Sequence, residues 1–89
     1  MNKLIYEKGE DLESERVDDE TLILSLEDGS FYKLNLVGSD IWELIDGSND
    51  VGKIIENLSK KYEIDLSILN QDVSDFFKDA ESKKFVEKK

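Results

Sequence analysis

The sequence predicts an α+β domain in which a small antiparallel sheet precedes three helices. Three features carry that prediction. Apolar residues recur with period two as far as Leu34 and with helical period beyond it. Asp-Gly pairs at Asp28-Gly29 and Asp46-Gly47 punctuate the two regimes. No internal repeat, low-complexity tract or linker divides the chain.

The elements follow in order. Residues 1–16 are mostly polar and are expected to form a loosely ordered arm or to carry the first strand, near Leu12 to Val17; residues 17–89 are expected to form one domain. From Thr21, the run TLILSLEDGSFYKLN sets Leu22, Leu24 and Leu26 against Ile23, Ser25 and Glu27. It breaks at Asp28-Gly29, then sets Tyr32 and Leu34 against Phe31 and Lys33. That is a β-hairpin turning at EDG. Asn35 is an N-cap residue type, and Val37, Ile41, Trp42, Leu44 and Ile45 fall on one side of a helix that Asp46 and Gly47 end. Asp50 caps a second helix, in which Val51, Ile54, Ile55, Leu58 and Tyr62 recur at amphipathic spacing. Asp65 or Ser67 caps a third, marked by Leu69, Val73, Phe76, Phe77 and Ala80 and ending near Ser82; Phe85 and Val86 add a short strand or a packed tail. Two helices joined by a short turn, beside a small antiparallel sheet, make the layout of a winged helix-turn-helix domain with its sheet placed first.

Composition narrows the functions open to such a domain. A chain of 89 residues holds one domain and buries about 60 to 65 per cent of its unfolded surface, so the core is thin. There is no Cys and no His, which removes thiol nucleophiles, disulfides, zinc and iron-sulfur ligation and imidazole acid-base chemistry together. No apolar run has signal-peptide or membrane-span length, so a cytoplasmic protein is expected. Twelve Lys plus Arg against 22 Asp plus Glu give a net charge of −10. Phosphate backbones and anionic lipid surfaces repel that charge, and neither nucleic acid nor membrane is an expected partner. Between Asp65 and Glu81, the segment that would enter a DNA groove, five acidic residues face one Lys.

Candidate chemistry is sparse. Asp72, Asp75 and Asp79 lie on successive helix turns, but nothing supplies a nucleophile or an oxyanion site, and a solvated acidic face explains them better than a catalytic pair. The loop from Asp46 to Asp50 fails as a calcium loop: Val51 stands where the turn needs Gly, and Asn57 where a bidentate Glu belongs. A helix stop followed by a helix cap accounts for the same residues. The glycines are isolated, so no phosphate-cradling loop is present. Trp42 sits at core spacing. No catalytic residue, metal or cofactor is expected.

Three pieces in this order and spacing resemble the PqqD-like family: LN at Leu34-Asn35, IW-x-L-x-DG from Ile41 to Gly47, and DV-x-x-F from Asp72 to Phe76. The resemblance runs from about Thr21 to Val86. It departs from the family's common pattern at Ile45, at the Glu27-Asp28-Gly29 turn and at the KKFVE end. It implies a winged-helix-like domain of three strands and three helices. Such a domain binds the leader of a ribosomally made precursor peptide and presents it to a modifying enzyme, often a radical SAM protein. It would be a non-catalytic chaperone, monomeric or weakly dimeric. It also implies the binding mode, in which the leader adds a strand to the exposed edge of the third strand and lies in the groove against the third helix. Here that edge is Ser30, Phe31, Tyr32, Lys33 and Leu34, and the wall is Asp72, Asp75, Phe76 and Asp79, with Phe31, Tyr32 and Phe76 the aromatic candidates for side-chain pockets. Ordering five peptide residues costs roughly 5 to 10 kcal/mol of backbone entropy, while about five backbone hydrogen bonds return only ~5 kcal/mol net. Two or three buried apolar leader side chains, ~1.5 to 3 kcal/mol each, must therefore carry selectivity at about micromolar affinity. The same layout also serves a regulatory winged-helix module that binds protein rather than DNA, or an adaptor subunit of an enzyme.

Overall fold

The computed structural model describes residues 3–89. Its elements are β1 (Tyr6–Lys8), β2 (Leu12–Val17), β3 (Glu20–Ser25), β4 (Phe31–Leu34), α1 (Leu36–Leu44), α2 (Val51–Tyr62), α3 (Leu66–Ser82) and β5 (Val86–Lys88). Strands β2, β3 and β4 form an antiparallel sheet in that order, and the three helices follow it. Among the described residues, no helix is long and apolar enough to cross a membrane.

The helix starts are chemical. Asn35 accepts from the Gly38 amide at 2.9 Å, Asp50 from the Lys53 amide at 2.8 Å, and Asp65 from the Ser67 amide at 2.8 Å. Each satisfies one of the amide groups that a helix start leaves without an internal partner. Between α1 and α2 the Asp46 carboxylate accepts from the Ser48 and Asn49 amides, and Gly47 takes φ +79°, so the DG pair turns the chain as its residue types require.

The core joins Ile23 from the sheet to Ile41, Trp42 and Ile45 of and after α1, to Ile54 and Leu58 of α2, and to Leu69, Val73 and Phe77 of α3. Only one face of the sheet meets it. Thr21 and Ile23 are buried, whereas Leu22 and Leu24 on the same strand are exposed. The leucine face of the predicted hairpin therefore points to solvent.

Over its described residues the segment before Val17 is built of strands. Its strand at Leu12–Val17 forms, and a further strand, β1, pairs antiparallel with β5 from Tyr6 opposite Lys88 to Lys8 opposite Val86. Tyr6 is only 6% exposed and its ring stacks on Phe77 with centroids 4.4 Å apart. Burying that ring outweighs the polarity of its neighbours. Gly9 is required next to it, because a Cβ there would lie 2.5 Å from the Lys84 carbonyl oxygen. Met1 and Asn2, the first residues of the expected arm, lie outside the described residues.

Candidate peptide-binding site

β4 is the last strand of its sheet, and no described strand pairs with its outer side. The Ser25 amide donates to the Ser30 carbonyl at 2.8 Å, which sets the phase of the β3–β4 ladder. Antiparallel alternation then joins Tyr32 to Ile23 and Leu34 to Thr21, and aims the N–H and C=O of Phe31 and Lys33 at the open edge. Ser30 contributes little to that edge. Its amide and hydroxyl both donate to Asp28 Oδ1, at 2.9 and 2.6 Å, and its carbonyl is held by Ser25.

The side chains of β4 divide between two faces. Tyr32 and Leu34 turn toward the helices and are half-buried, while Phe31 and Lys33 turn the other way and are exposed. Phe31, expected to line a pocket of the groove, is 70% exposed on the opposite face, since strand alternation separates it from Tyr32. Lys33 pairs with Glu20 at 3.0 Å on that same face.

Beside the edge runs a groove lined by Asn35, Val37, Gly38 and Ile41 from the start of α1 and by Asp72, Asp75 and Phe76 from α3. Three of the four expected wall residues are thus brought together. Gly38 forms its floor: a Cβ there would meet Leu34 Cβ at 3.3 Å and Phe76 Cε2 at 3.6 Å. Asp79, one turn further along α3, instead engages Lys83 at 2.9 Å. The Lys83 ammonium in turn lies 4.8 Å from the centroid of Tyr32, whose ring meets Phe85 edge-on at 4.7 Å. Lys83 thus stands between Asp79 and the ring of Tyr32. The α1 residues of the groove were missing from the expectation, although a signal existed. A single residue, Asn35, separates β4 from α1, so the first turns of that helix must border the strand's edge.

The opposite side of α1 is fastened. Asp40, 4% exposed, accepts from Arg16 of β2 at 2.9 Å, from Lys61 of α2 at 3.0 Å, and from the Tyr62 hydroxyl. Burial pushes the Asp40 carboxyl up, but the hydrogen bonds from Tyr62, Lys61 and Arg16 outweigh it and hold the group below the usual carboxylate range. Burial, then the hydrogen bond to Asp40, pushes the Tyr62 hydroxyl up to about 12. Nearby, Thr21 donates to Ser39 at 2.7 Å and the Trp42 indole to Ser14 at 3.1 Å. Among the described residues no buried side-chain polar atom lacks a partner, and no group of His, Cys, Asp or Glu is arranged to hold a metal.

A strand with two open backbone pairs, a fixed helix beneath it and a partly apolar groove alongside can take an extended peptide. Comparison with known proteins agrees with this architecture. The chain is similar to the solved structure of TbiB1 in complex with the TbiA(beta) leader peptide, at 27% identity and a TM-score of 0.84, over 91% of this chain and 94% of that one. It is also similar to lasso peptide synthetase B1 complexed with the leader peptide, at 12% identity and a TM-score of 0.83, over 92% and 96% of the two chains, a likeness of fold. No curated protein matches the chain. Residues 20–86 match the family described as coenzyme PQQ synthesis protein D, and the chain belongs to this PqqD family.

Proposed function

We propose that this protein is a non-catalytic recognition element that binds the leader of a ribosomally made precursor peptide and presents the remainder to a modifying enzyme. The observation that carries this reading is the unpaired edge of β4 beside the groove between α1 and α3. The leader pairs with the backbone of Phe31 and Lys33, and its inward side chains enter the groove over Gly38 toward Phe76. Complexes with leader peptides in the two similar structures support the reading.

The site residues have distinct tasks. Phe31, Tyr32, Lys33 and Leu34 supply the strand, Phe76 the apolar wall, and Asp72 and Asp75 the negative rim that favours a leader carrying Lys or Arg. Asp79 positions Lys83 against Tyr32, and Ser30 sets the turn that ends the edge. The recognition unit acts as a monomer or weak homodimer in the cytoplasm, and a radical SAM protein is the enzyme class that the family resemblance favours.

The experiment is a titration of the ¹⁵N-labelled protein with leader peptides of candidate precursors, sought first in the reading frames beside its gene. Amide shifts concentrated on β4, the start of α1 and the Asp72–Phe76 turn of α3, with affinity of about micromolar order, are expected. Shifts confined to other surfaces, or none at millimolar peptide, would sink the proposal.

A further inference from the structure

The outer face of the sheet is apolar at its centre and acidic at its border. Register fixes its layout: Glu13, Leu24 and Phe31 lie in one row across the three strands, and Glu15, Leu22 and Lys33 in the next, with Val17 opposite Glu20 beyond them. Leu22, Leu24, Phe31 and Val17 are 44, 37, 70 and 56% exposed. They border two adjoining hollows that share Leu22 and Phe31. Among the described residues no helix covers this face, because all three helices pack on the other side. Exposed apolar side chains gathered in one patch, rather than scattered singly, suit a surface to a partner, and here they do so on a chain with net charge −10.

The border points to the occupant. Glu13, Glu15, Asp18, Asp19 and Glu20 border the patch along β2 and the β2–β3 turn, and among the described residues the one cation lining its two hollows, Lys33, is already paired with Glu20 at 3.0 Å. A second copy would bring five further carboxylates against these five, and nucleic acid or anionic lipid would bring phosphate. A protein surface with an apolar centre flanked by Lys and Arg matches both parts.

The face is also continuous with the peptide edge. Phe31 and Lys33 present their backbone to the edge and their side chains to this face, so a strand added at β4 would extend the face with its own outward side chains.

From this we infer that the outer sheet face, centred on Leu22, Leu24 and Phe31, docks a protein partner with an apolar surface flanked by Lys and Arg, the protein that acts on the bound peptide. The inference rests on the proposed function for the identity of that partner and on the face itself for its location. Because the added strand becomes part of the docking surface, peptide and partner strengthen each other's binding, by the same factor in each direction.

The test uses a purified modifying protein sought among the products of the neighbouring genes, titrated calorimetrically into the full chain with and without leader. Two double variants accompany it. L22T/L24T keeps β propensity while removing apolar area, and E13K/E15K reverses the border. The expected result is at least a tenfold loss of partner affinity in L22T/L24T and several-fold in E13K/E15K, the latter shrinking at high salt. Leader affinity should stay within twofold in both, circular dichroism should report an intact fold, and leader should tighten partner binding to the wild type. Partner affinity unchanged in L22T/L24T, or no binding of the modifying protein at all, overturns the inference. So does a wild-type dimer in sedimentation that L22T/L24T abolishes, which would give the face to a second copy. The two readings fail separately. Leader shifts along β4 without an effect of L22T/L24T on the partner sink only the docking face. Partner binding lost in L22T/L24T without any leader binding sinks only the peptide reading.

Discussion

The two edges of the central sheet are built to opposite ends. β2, at one edge, reads LESERV and carries Glu13, Glu15 and Arg16, the last reaching inward to a buried carboxylate. β4, at the other, reads FYKL, is shorter, and lies beside a groove with an apolar wall. Both leave backbone groups unpaired within the sheet, yet charge and an inward-pointing cation are devices that keep an edge from pairing, and β4 has only Lys33, neutralised by Glu20. What separates a guarded edge from a receptive one here is side-chain choice and the neighbouring helix, not strand geometry. α1 serves both: one side of it is tied to β2 through Asp40, and the other floors the groove through Gly38.

Removing the tie on the guarded side should have the largest effect. Asp40→Ala leaves Arg16, Lys61 and the Tyr62 hydroxyl without their shared acceptor, and is expected to cost about 2 to 4 kcal/mol in urea unfolding, the lower part of the range reflecting the partial exposure of the cations. The leader affinity of the folded protein should change far less.

On the receptive side, Lys33→Pro removes an amide aimed at the open edge while sparing the ladder to β3. Leader affinity should fall by about tenfold with only a small change in thermal midpoint, as anisotropy and melting would show. An equal loss of stability would mean that this amide is not free. Gly38→Ala should weaken leader binding about three- to tenfold by raising the groove floor toward Phe76. Its stability should stay near wild type, since the gain in helix propensity, about 1 kcal/mol, offsets the tight contacts with Leu34 Cβ and the Asn35 cap oxygen, each at 3.3 Å.

The smallest effects come from pH. The folded-state depression of Asp40 means that its contribution is present above its ordinary value of 3.8 and is lost as pH falls through the lower folded value. Tyr62 is raised, from 10.0 to about 12, so its contribution holds below pH 10.0 and is lost as pH climbs through about 12. Urea midpoints measured against pH should fall at both ends, and Tyr62→Phe should flatten the alkaline limb.

Much of this was legible because its signals are local. Asn35, Asp50 and Asp65 each sit one residue before a helix and cap it with their own side chains, and the i, i+3, i+4 apolar spacing of Val51, Ile54 and Ile55 admits one buried face. The hairpin was legible for the same reason, but not which of its faces is buried. Period-two alternation is symmetric, and Leu22 and Leu24 look more like core than Thr21 does; it is the Thr21–Ser39 hydrogen bond and the packing of α1 that turn Thr21 inward. The β1–β5 pairing was hidden because three-residue strands have too little pattern and their partners lie at opposite ends of the sequence. Asp40 was hidden because a carboxylate on a helix reads as solvated until Arg16, Lys61 and Tyr62 are seen converging on it. The edge strand itself came from the family resemblance, with the division of its side chains between two faces left for the structure to supply.

That end-to-end pairing has a consequence for how the receptor comes into being. Tyr6 and Lys88 are register partners, so joining β1 to β5 closes the longest loop of the described strand pairings, and the entropy cost of closure grows with loop length. Phe85, which braces Tyr32 from behind, is seated next to that closure through the bond from Gly9 to its carbonyl. A chain lacking the β1–β5 pairing would lack that brace, and its capture of an extended guest should weaken accordingly.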